Sequence, residues 1–412
     1  MKYGLIGEKL GHSFSAEVHA ELGDYSYELC EIPRGALENF MKTSDFLGIN
    51  VTIPYKKAII PYLDELDGSA SDTDAVNTVV RRCGRLIGYN TDVYGMRELL
   101  AHAGISVSGK KVLILGTGGT SQTAEALARS LGASEIYRVS RSEGEGVITY
   151  SDAYAHHSDT DVIINTTPVG MYPSIFDTPI DLSKFENLCG VVDAVYNPIE
   201  SSLVRKARRL GITAVGGLYM LVAQAVRASE IFLNTEYPTG TTERIYSKIL
   251  NKRQNVVLIG MPSSGKSTVG RLLAQRLGRR FIDTDALIEE RTARSPREII
   301  TEDGEERFRD IESECIAALA ATTGSVIATG GGAVLRDKNT EMLKMNGTIL
   351  FLDRPLDELS CDPSRPLTSD KEALIQKYRE RYPIYLHHSD LHIDGSGTPE
   401  EVAERILSAL GV

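Results

Sequence analysis

Two apolar runs rich in Val, Ile and Leu each break into a glycine turn and then resume with helical spacing. The first is KKVLILGTGGTSQTAEALARSLG, residues 110–132, where Ala124, Leu127, Ala128 and Leu131 recur at the intervals of one helix face. The second is NVVLIGMPSSGKSTVGRLLAQRLG, residues 255–278, with Val269, Leu272, Leu273 and Leu277 in the same relation. Gly132 and Gly278 stand where a helix would stop. Each segment reads as strand, tight loop and helix, so each can gather backbone N–H groups around a phosphate. Two nucleotide sites are predicted.

Further apolar runs fall between helical stretches. SEIYRVS, DVIINTT and GVVDAVY read as buried strands of the first region, and SVIATGGG and GTILFLD as strands of the second. Strands alternating with helices predict an α/β protein with parallel, doubly wound sheets. Residues 1–93 form an α/β block of their own. The polar stretch Asn234–Thr242, with Pro238 and Gly240, predicts a flexible connection, and the helical pattern ERIYSKILNKR follows it. The main boundary is expected near residues 250–254.

Length and charge narrow the class. At 412 residues the chain suggests two or three domains. Its 45 Lys and Arg against 56 Asp and Glu give a formal net charge of −11, which argues against a broad nucleic-acid or polybasic membrane face. Cys30, Cys83, Cys189, Cys315 and Cys361 are scattered, and none forms a CxxC pair. That pattern fits a reducing compartment rather than bridges or zinc. The N-terminus has no long apolar core after a basic start, and no long apolar window follows. A cytoplasmic location is expected.

The second glycine turn satisfies GxxxxGK[ST] through Gly260, Gly265, Lys266 and Ser267. Pro262, Ser263, Ser264, Gly265, Lys266, Ser267 and Thr268 make up the cradle. Lys266 can reach the terminal phosphates, and the Ser267 hydroxyl can ligate Mg²⁺. FIDTD then supplies Asp283 and Asp285, one suited to hold Mg²⁺ and the other to accept from an acceptor hydroxyl. GEERFRDIE supplies Arg309, which could instead form a surface ion pair with Glu305 or Glu312. ATGGGAV supplies Gly331, SRPL Arg365 and RYPIY Arg381, the last with a solvated helix face as its alternative. His387 and His388 read as an exposed helix end. These separated motifs, in this order, resemble shikimate kinase over residues 255–412. The resemblance implies a P-loop domain of nucleoside monophosphate kinase type that uses ATP and Mg²⁺. It implies that Asp285, Arg309, Gly331 and Arg381 bind shikimate, that Arg365 contacts ATP from a lid, and that Ser267 and Asp283 serve the metal. Guanidinium forks suit a carboxylate, and phosphoryl transfer depends chiefly on positioning and charge neutralisation. The approach to SRPL is shorter than is usual in that family.

The first glycine turn runs Gly116, Thr117, Gly118, Gly119, Thr120, and the next strand ends at Ser140, Arg141 and Ser142. An acidic residue there would favour NAD, whereas a guanidinium with hydroxyls favours the 2′-phosphate of NADP. Glu143 and Glu145 follow and should soften that preference. Upstream, LGHSFS offers Ser13 and Ser15, NVTIPYK offers Asn50, Thr52 and Lys56, and AVNT and YNTD offer Asn77 and Asp92. VYNP offers Tyr196, and GGLYMLVAQA offers Gly217 and Gln224. Some of these have local alternatives. Asp92 could cap a helix beginning at Val93, and Ser13 or Ser15 could cap SAEVHAEL. His12 reads as structural and Lys57 as a solvated charge. Together these pieces resemble shikimate dehydrogenase over about residues 3–250. The resemblance implies a two-lobed α/β dehydrogenase with a Rossmann NADP domain. Residues 1–93 with 218–250 would bind shikimate, 94–217 would bind NADP, and 254–412 would be the kinase. Ser13, Ser15, Thr52, Lys56, Asn77, Asp92, Tyr196 and Gln224 would line the shikimate site, with Lys56 and Asp92 as the catalytic pair. Gly116 to Thr120, Ser140 to Ser142, Ala194 and Gly217 would line the NADP site.

Both resemblances together imply a bifunctional enzyme that makes shikimate and phosphorylates it. Its partners would be small molecules, with neither nucleic acid nor membrane involved and an oligomeric state compatible with a homodimer. Shikimate is expected to pass between the sites by free diffusion. Two rivals are a quinate/shikimate dehydrogenase that uses NAD, joined to a kinase for another hydroxyl, and a regulator whose kinase-like part senses a metabolite. The intact Lys266, Ser267 and Asp283 argue against the second.

Overall fold

The computed structural model describes residues 1–10, 14–359 and 371–412; Ser13, Cys361 and Arg365 lie outside the described residues. The chain divides into two compact units, Met1–Leu250 and Asn251–Val412.

The first unit is built on two sheets. One runs β2-β1-β3-β5-β6-β4, from β1 (Tyr3–Gly7), β2 (Tyr27–Glu31), β3 (Gly48–Val51), β4 (Glu65–Leu66), β5 (Thr78–Arg82) and β6 (Arg85–Tyr89). It is mixed: β1 pairs in parallel with β2 and β3, while β5 pairs antiparallel with β3 and β6. The β5–β6 pair follows from one turn. Cys83 and Gly84 have φ of 50° and 79°, the left-handed pair that closes a two-residue hairpin between β5 and β6.

The other sheet runs β12-β11-β10-β7-β8-β9, from β7 (Lys111–Leu115), β8 (Glu135–Ser140), β9 (Val147–Thr149), β10 (Val162–Asn165), β11 (Gly190–Asp193) and β12 (Thr213–Val215). Its strand pairs are parallel. β7, β10 and β11 are buried at every position, which is why their sequences are unbroken apolar runs rather than alternating ones. The strand order reverses between β7 and β10, and the glycine loop leaves β7 at that point, where open parallel sheets bind ligands.

The second unit carries a parallel sheet ordered β14-β15-β13-β16-β17, from β13 (Asn255–Ile259), β14 (Arg280–Asp283), β15 (Ser325–Ala328), β16 (Gly347–Asp353) and β17 (Leu391–Asp394). Its phosphate loop leaves β13, the central strand.

One sequence expectation is corrected. The stretch after Asn234 is not a free connection. Tyr237 is pinned within the first unit: its N–H donates to Glu230 Oε1 at 3.1 Å and its hydroxyl donates to the Leu22 carbonyl. The following helix, Thr241–Arg253, buries Ile245 and Ile249 in the cluster of Phe14, Val18 and Val222.

Candidate active sites

In the first unit, two short elements bring a cation and a carboxylate together. Pro54 ends the turn after β3, and Lys56 follows in the helix Tyr55–Ala58. Asp92 lies in the first turn of the helix Thr91–Ala103. Asn90, not Asp92, caps that helix, its Oδ1 accepting from the Asp92 N–H at 3.1 Å. The Asp92 carboxylate is therefore left for other partners. Oδ2 accepts from Lys56 Nζ at 2.5 Å, and Oδ1 accepts from Asn77 Nδ2 at 2.8 Å. Asn77 is fixed in turn by the Thr91 N–H, which donates to its Oδ1 at 2.7 Å. Gln224 joins from the helix Leu218–Leu233, where its Oε1 accepts from the Thr91 hydroxyl at 3.4 Å. Gly95 lets the two helices meet, since a Cβ there would lie 2.7 Å from the Met220 carbonyl oxygen.

Ser15 opens the helix Ser15–Ala20 as a buried residue, and Phe14 rather than a serine holds the cap position. Phe14 meets the Tyr196 ring edge-on at 5.4 Å, which places Tyr196 against this lobe. Burial raises the Tyr196 hydroxyl above its ordinary pKa. Thr52 stands half-buried between β3 and Lys56.

Beside Lys56 opens a cavity of about 720 Å³. Ile53, Pro54, Lys56 and Lys57 line one side, and Gly116 to Thr120, Val139, Ser140, Arg141, Tyr150 and Thr166 to Val169 line the rest. The loop is shaped for close approach. Gly116 has φ of 112°, and a Cβ there would sit 2.9 Å from Thr166 Oγ1; one on Gly119 would come within 3.8 Å of Lys56 Cδ. Ser142 is exposed and outside the lining. Ala194 and Gly217 are also outside it. They pack on each other, with no room for a Cβ on Gly217 beside the Ala194 carbonyl. Lys57 makes an exposed ion pair with Asp74 at 3.0 Å.

In the second unit, a cavity of about 600 Å³ gathers the phosphate loop and the residues expected to face an acceptor. Pro262, Ser263, Gly265, Lys266, Ser267 and Thr268 line it with Asp283, Asp285, Arg309, Glu312, Gly331 and Arg381. Lys266 is buried and donates to the carbonyls of Gly260 and Met261 at 3.0 and 2.8 Å. Ser267 Oγ donates to Asp283 Oδ2 at 2.6 Å, and Asp283 Oδ1 caps the helix Thr284–Thr292 through the Asp285 N–H. The buried Ser264 hydroxyl has no hydrogen-bond partner among the described residues. Gly260, Ser263 and Gly265 take positive φ of 148°, 65° and 91°, turning the loop's N–H groups inward.

Arg309 and Arg381 are not surface charges, at 6% and 4% exposed. Arg309 donates to Glu312 Oε2 at 2.8 Å and to Glu305 Oε1 at 2.9 Å. Arg381 donates to the Gly331 carbonyl at 3.2 Å, which also accepts from the Tyr385 hydroxyl. Burial raises the Glu312 carboxyl, with Arg309 opposing the shift. Its Oε1 has no hydrogen-bond partner among the described residues. Gly330 packs closely against these carboxylates, since a Cβ there would lie 2.7 Å from that oxygen and 2.9 Å from Asp285 Oδ1 and both would have to shift. His388 is less exposed than expected, lying 3.3 Å from Asp337.

Residues 5–79 match the family model for the shikimate dehydrogenase substrate binding domain. The curated shikimate dehydrogenase (NADP(+)) of Clostridium beijerinckii is 34% identical over 266 residues, covering 61% of this chain and 98% of that protein. The chain belongs to the shikimate dehydrogenase family. A further family model, shikimate kinase, matches residues 262–411, so the second unit carries a shikimate kinase domain. Solved shikimate dehydrogenases superpose on the first unit. A chorismate mutase/shikimate 5-dehydrogenase fusion protein from Clostridium acetobutylicum is 33% identical with a TM-score of 0.57, covering 60% of this chain and 96% of that one. The Thermus thermophilus enzyme, in complex with NADP(H) and shikimate, is 27% identical with a TM-score of 0.54, covering 60% and 98%.

Sequence reasoning passed over two residues of these units. In the shikimate dehydrogenase unit Asp193, at the end of β11, is fully buried and accepts from Asn165 Nδ2 at 2.9 Å, from the Val195 N–H at 3.0 Å and from the Ser201 hydroxyl. Burial pushes its carboxyl up to about 6. An acid closing an apolar strand was the available signal. In the shikimate kinase unit, Glu312 was weighed only as a surface partner for Arg309.

Proposed function

We propose that the dehydrogenase unit reduces 3-dehydroshikimate to shikimate with NADPH, and that the kinase unit phosphorylates the 3-hydroxyl of shikimate with MgATP. Residues 1–93 with 218–250 serve as the substrate domain, 94–217 as the NADP domain and 254–412 as the kinase. The observation that carries the first half is the Lys56–Asp92 pair, held at one edge of a cleft whose other wall is the glycine loop. The second half rests on one cavity that contains a phosphate cradle and two buried guanidinium groups.

The glycine loop fits a dinucleotide, because the space a Cβ would fill at Gly116 and Gly119 is left to the backbone. Bound nicotinamide supplies the reducing equivalent. Lys56 Nζ donates a proton to the substrate oxygen as it becomes an alcohol, and in the oxidising direction the same amine takes it back. Asp92 Oδ2 holds the ammonium in place and balances its charge. Ser15, Thr52, Asn77, Tyr196 and Gln224 orient the ring and its carboxylate, together with Ser13. Ser140 and Arg141 favour the 2′-phosphate.

In the kinase unit, Ser267 and Asp283 together offer the hydroxyl and carboxylate oxygens that Mg²⁺ prefers, and the unpartnered Ser264 hydroxyl belongs to the loop that would cradle phosphate. Bound Mg²⁺ neutralises phosphate charge. Lys266 exchanges its two carbonyl partners for phosphate oxygens. Asp285 accepts from the attacking hydroxyl, and Arg309 and Arg381 grip the carboxylate of shikimate, with Gly331 alongside. Arg365 would contact ATP. A cytoplasmic setting suits the free cysteines Cys30, Cys83, Cys189 and Cys315. Among the described residues, no helix is long and apolar enough to cross a membrane.

Two assays on the purified chain test this. NADPH oxidation by 3-dehydroshikimate and ADP release with shikimate and MgATP should both be found. Absence of either removes the corresponding half.

A further inference from the structure

Behind the Lys56–Asp92 pair runs a row of polar side chains whose hydrogen bonds all point the same way. Two backbone groups fix the direction. Asn50 Nδ2 reaches the Asn77 carbonyl at 3.3 Å, and a carbonyl only accepts, so Asn50 Oδ1 must face Tyr27. The Tyr27 hydroxyl therefore donates to Asn50 Oδ1, at 2.6 Å. At the other end the Thr91 N–H, which only donates, occupies Asn77 Oδ1 and turns Asn77 Nδ2 toward Asp92. The middle closes through Thr78: Asn50 Nδ2 donates to its Oγ1 at 3.0 Å, and that hydroxyl donates to Asn77 Oδ1 at 3.1 Å. Asn50, Asn77 and Thr78 are all buried. The row ends on Asp92 Oδ1, leaving Oδ2 to Lys56.

Tyr27 is itself held in place. Its ring lies on the fully buried His19 at 3.8 Å and 7°, and His19 Nδ1 shares a 2.6 Å hydrogen bond with Tyr25. Tyr25 leads elsewhere, donating to Ser229 at 2.8 Å.

We propose that Tyr27, on strand β2 and outside the cleft, is a positioning residue for the reduction. Through Asn50, Thr78 and Asn77 it keeps the Asp92 carboxylate turned so that Oδ2 meets Lys56. This rests on Lys56 and Asp92 being the catalytic pair. Without the Tyr27 hydroxyl, Asn50 Oδ1 is a buried acceptor with no donor. A half-turn of the Asn50 amide then brings its Oδ1 to Thr78, whose proton leaves Asn77 Oδ1 to meet it, and Asn77 loses one of the bonds that hold it. Hydrogen bonds in such a row reinforce one another, so a loss at one end is felt at the other.

The test uses the full chain with Tyr27→Phe, Tyr25→Phe as control and Thr78→Val as a second break in the row. Rates of shikimate oxidation are counted per folded molecule, titrated by NADP⁺ binding. Tyr27→Phe and Thr78→Val should lower kcat about tenfold, the scale of one buried hydrogen bond. The KM for NADP⁺ and the kinase rate should stay within about twofold of the native values. Tyr25→Phe removes a comparable hydroxyl from the same cluster. It should lower the unfolding temperature to a similar extent yet leave kcat within about twofold. Equal kcat losses in the Tyr25 and Tyr27 variants would reduce the row to a support of the fold. A native kcat in Tyr27→Phe, or in Thr78→Val where the former does not fold, would end the proposal. Lys56→Ala separates the two levels: if it retains dehydrogenation the catalytic pair itself is wrong, whatever Tyr27 does.

Discussion

Lys56 Nζ stands 2.5 Å from Asp92 Oδ2 across 36 residues of sequence, at side-chain exposures of 18% and 11%. The pair is held from both sides, by the short helix after Pro54 and by Asn77 on the far carboxylate oxygen. Lys56→Ala removes the proposed proton donor. It should lower the dehydrogenase kcat by about 10²–10⁴-fold, the usual contribution of a general acid. The kinase rate of the same preparation should be unchanged, as the two assays run side by side would show.

Lys266 is the mirror case. Its side chain lines the second cavity, where the proposed reaction gives it the phosphates to hold. Lys266→Ala should abolish ADP formation while NADPH oxidation continues at the native rate. A variant that silences both activities in a still-folded chain would contradict independent sites.

Arg309 and Glu312 form a buried pair, 7% and 0% exposed at the side chain. Removing one partner of such a pair costs about 3–5 kcal/mol, because it strands the other charge. Arg309→Ala should destabilise the kinase unit on that scale in denaturant unfolding followed by loss of kinase activity. Arg309→Ala combined with Glu312→Ala should recover part of the stability but none of the shikimate affinity.

Two buried groups of the first unit give opposite dependences on pH. Asp193 is pushed up to about 6 by burial, from an ordinary value of 3.8, so between roughly pH 4 and 6 the folded state holds a proton the unfolded state has lost. Its contribution therefore weakens stability as pH rises through that window, by about 3 kcal/mol at most. His19 is lowered to about 3 by burial, so below about pH 6.5 the unfolded state takes up the proton first and stability falls as pH falls. In the native protein the two slopes oppose each other between pH 4 and 6. Asp193→Asn should unmask the His19 slope, and His19→Gln the Asp193 slope, in unfolding curves of the first unit measured across that range.

Arg141 is exposed on the wall of the first unit's cavity, with Ser140 beside it and Glu143 and Glu145 beyond. Arg141→Ala should raise the KM for NADPH several-fold and change that for NADH little, which a comparison of the two cofactors at low ionic strength would reveal.

Much of this was legible in the sequence because it is local. The two glycine loops announce themselves by an apolar strand before and a helix after, and β7 and β13 lie where the runs ending in Leu115 and Ile259 placed them. Lys56 and Asp92 could be named from short motifs. What the sequence hid are partnerships set by tertiary burial. Charge spacing leaves Arg309 with either a surface or an interior reading, and only its 6% exposure decides. Asp193 looks like the last residue of an apolar strand until donors from Asn165 on β10, Val195 and Ser201 converge on it. Tyr237 sits in a polar stretch that suggested freedom, and its anchorage at Leu22 lies 215 residues away in the chain.

The central claim is that one chain makes shikimate and then phosphorylates it. The most direct measurement supplies 3-dehydroshikimate, NADPH and MgATP together and follows NADPH loss, ADP formation and products by mass. The account predicts that each NADPH consumed yields one shikimate, and that ADP appears with shikimate 3-phosphate as that shikimate is used. NADPH loss with shikimate accumulating and no ADP, or ADP release that does not depend on shikimate, would contradict it.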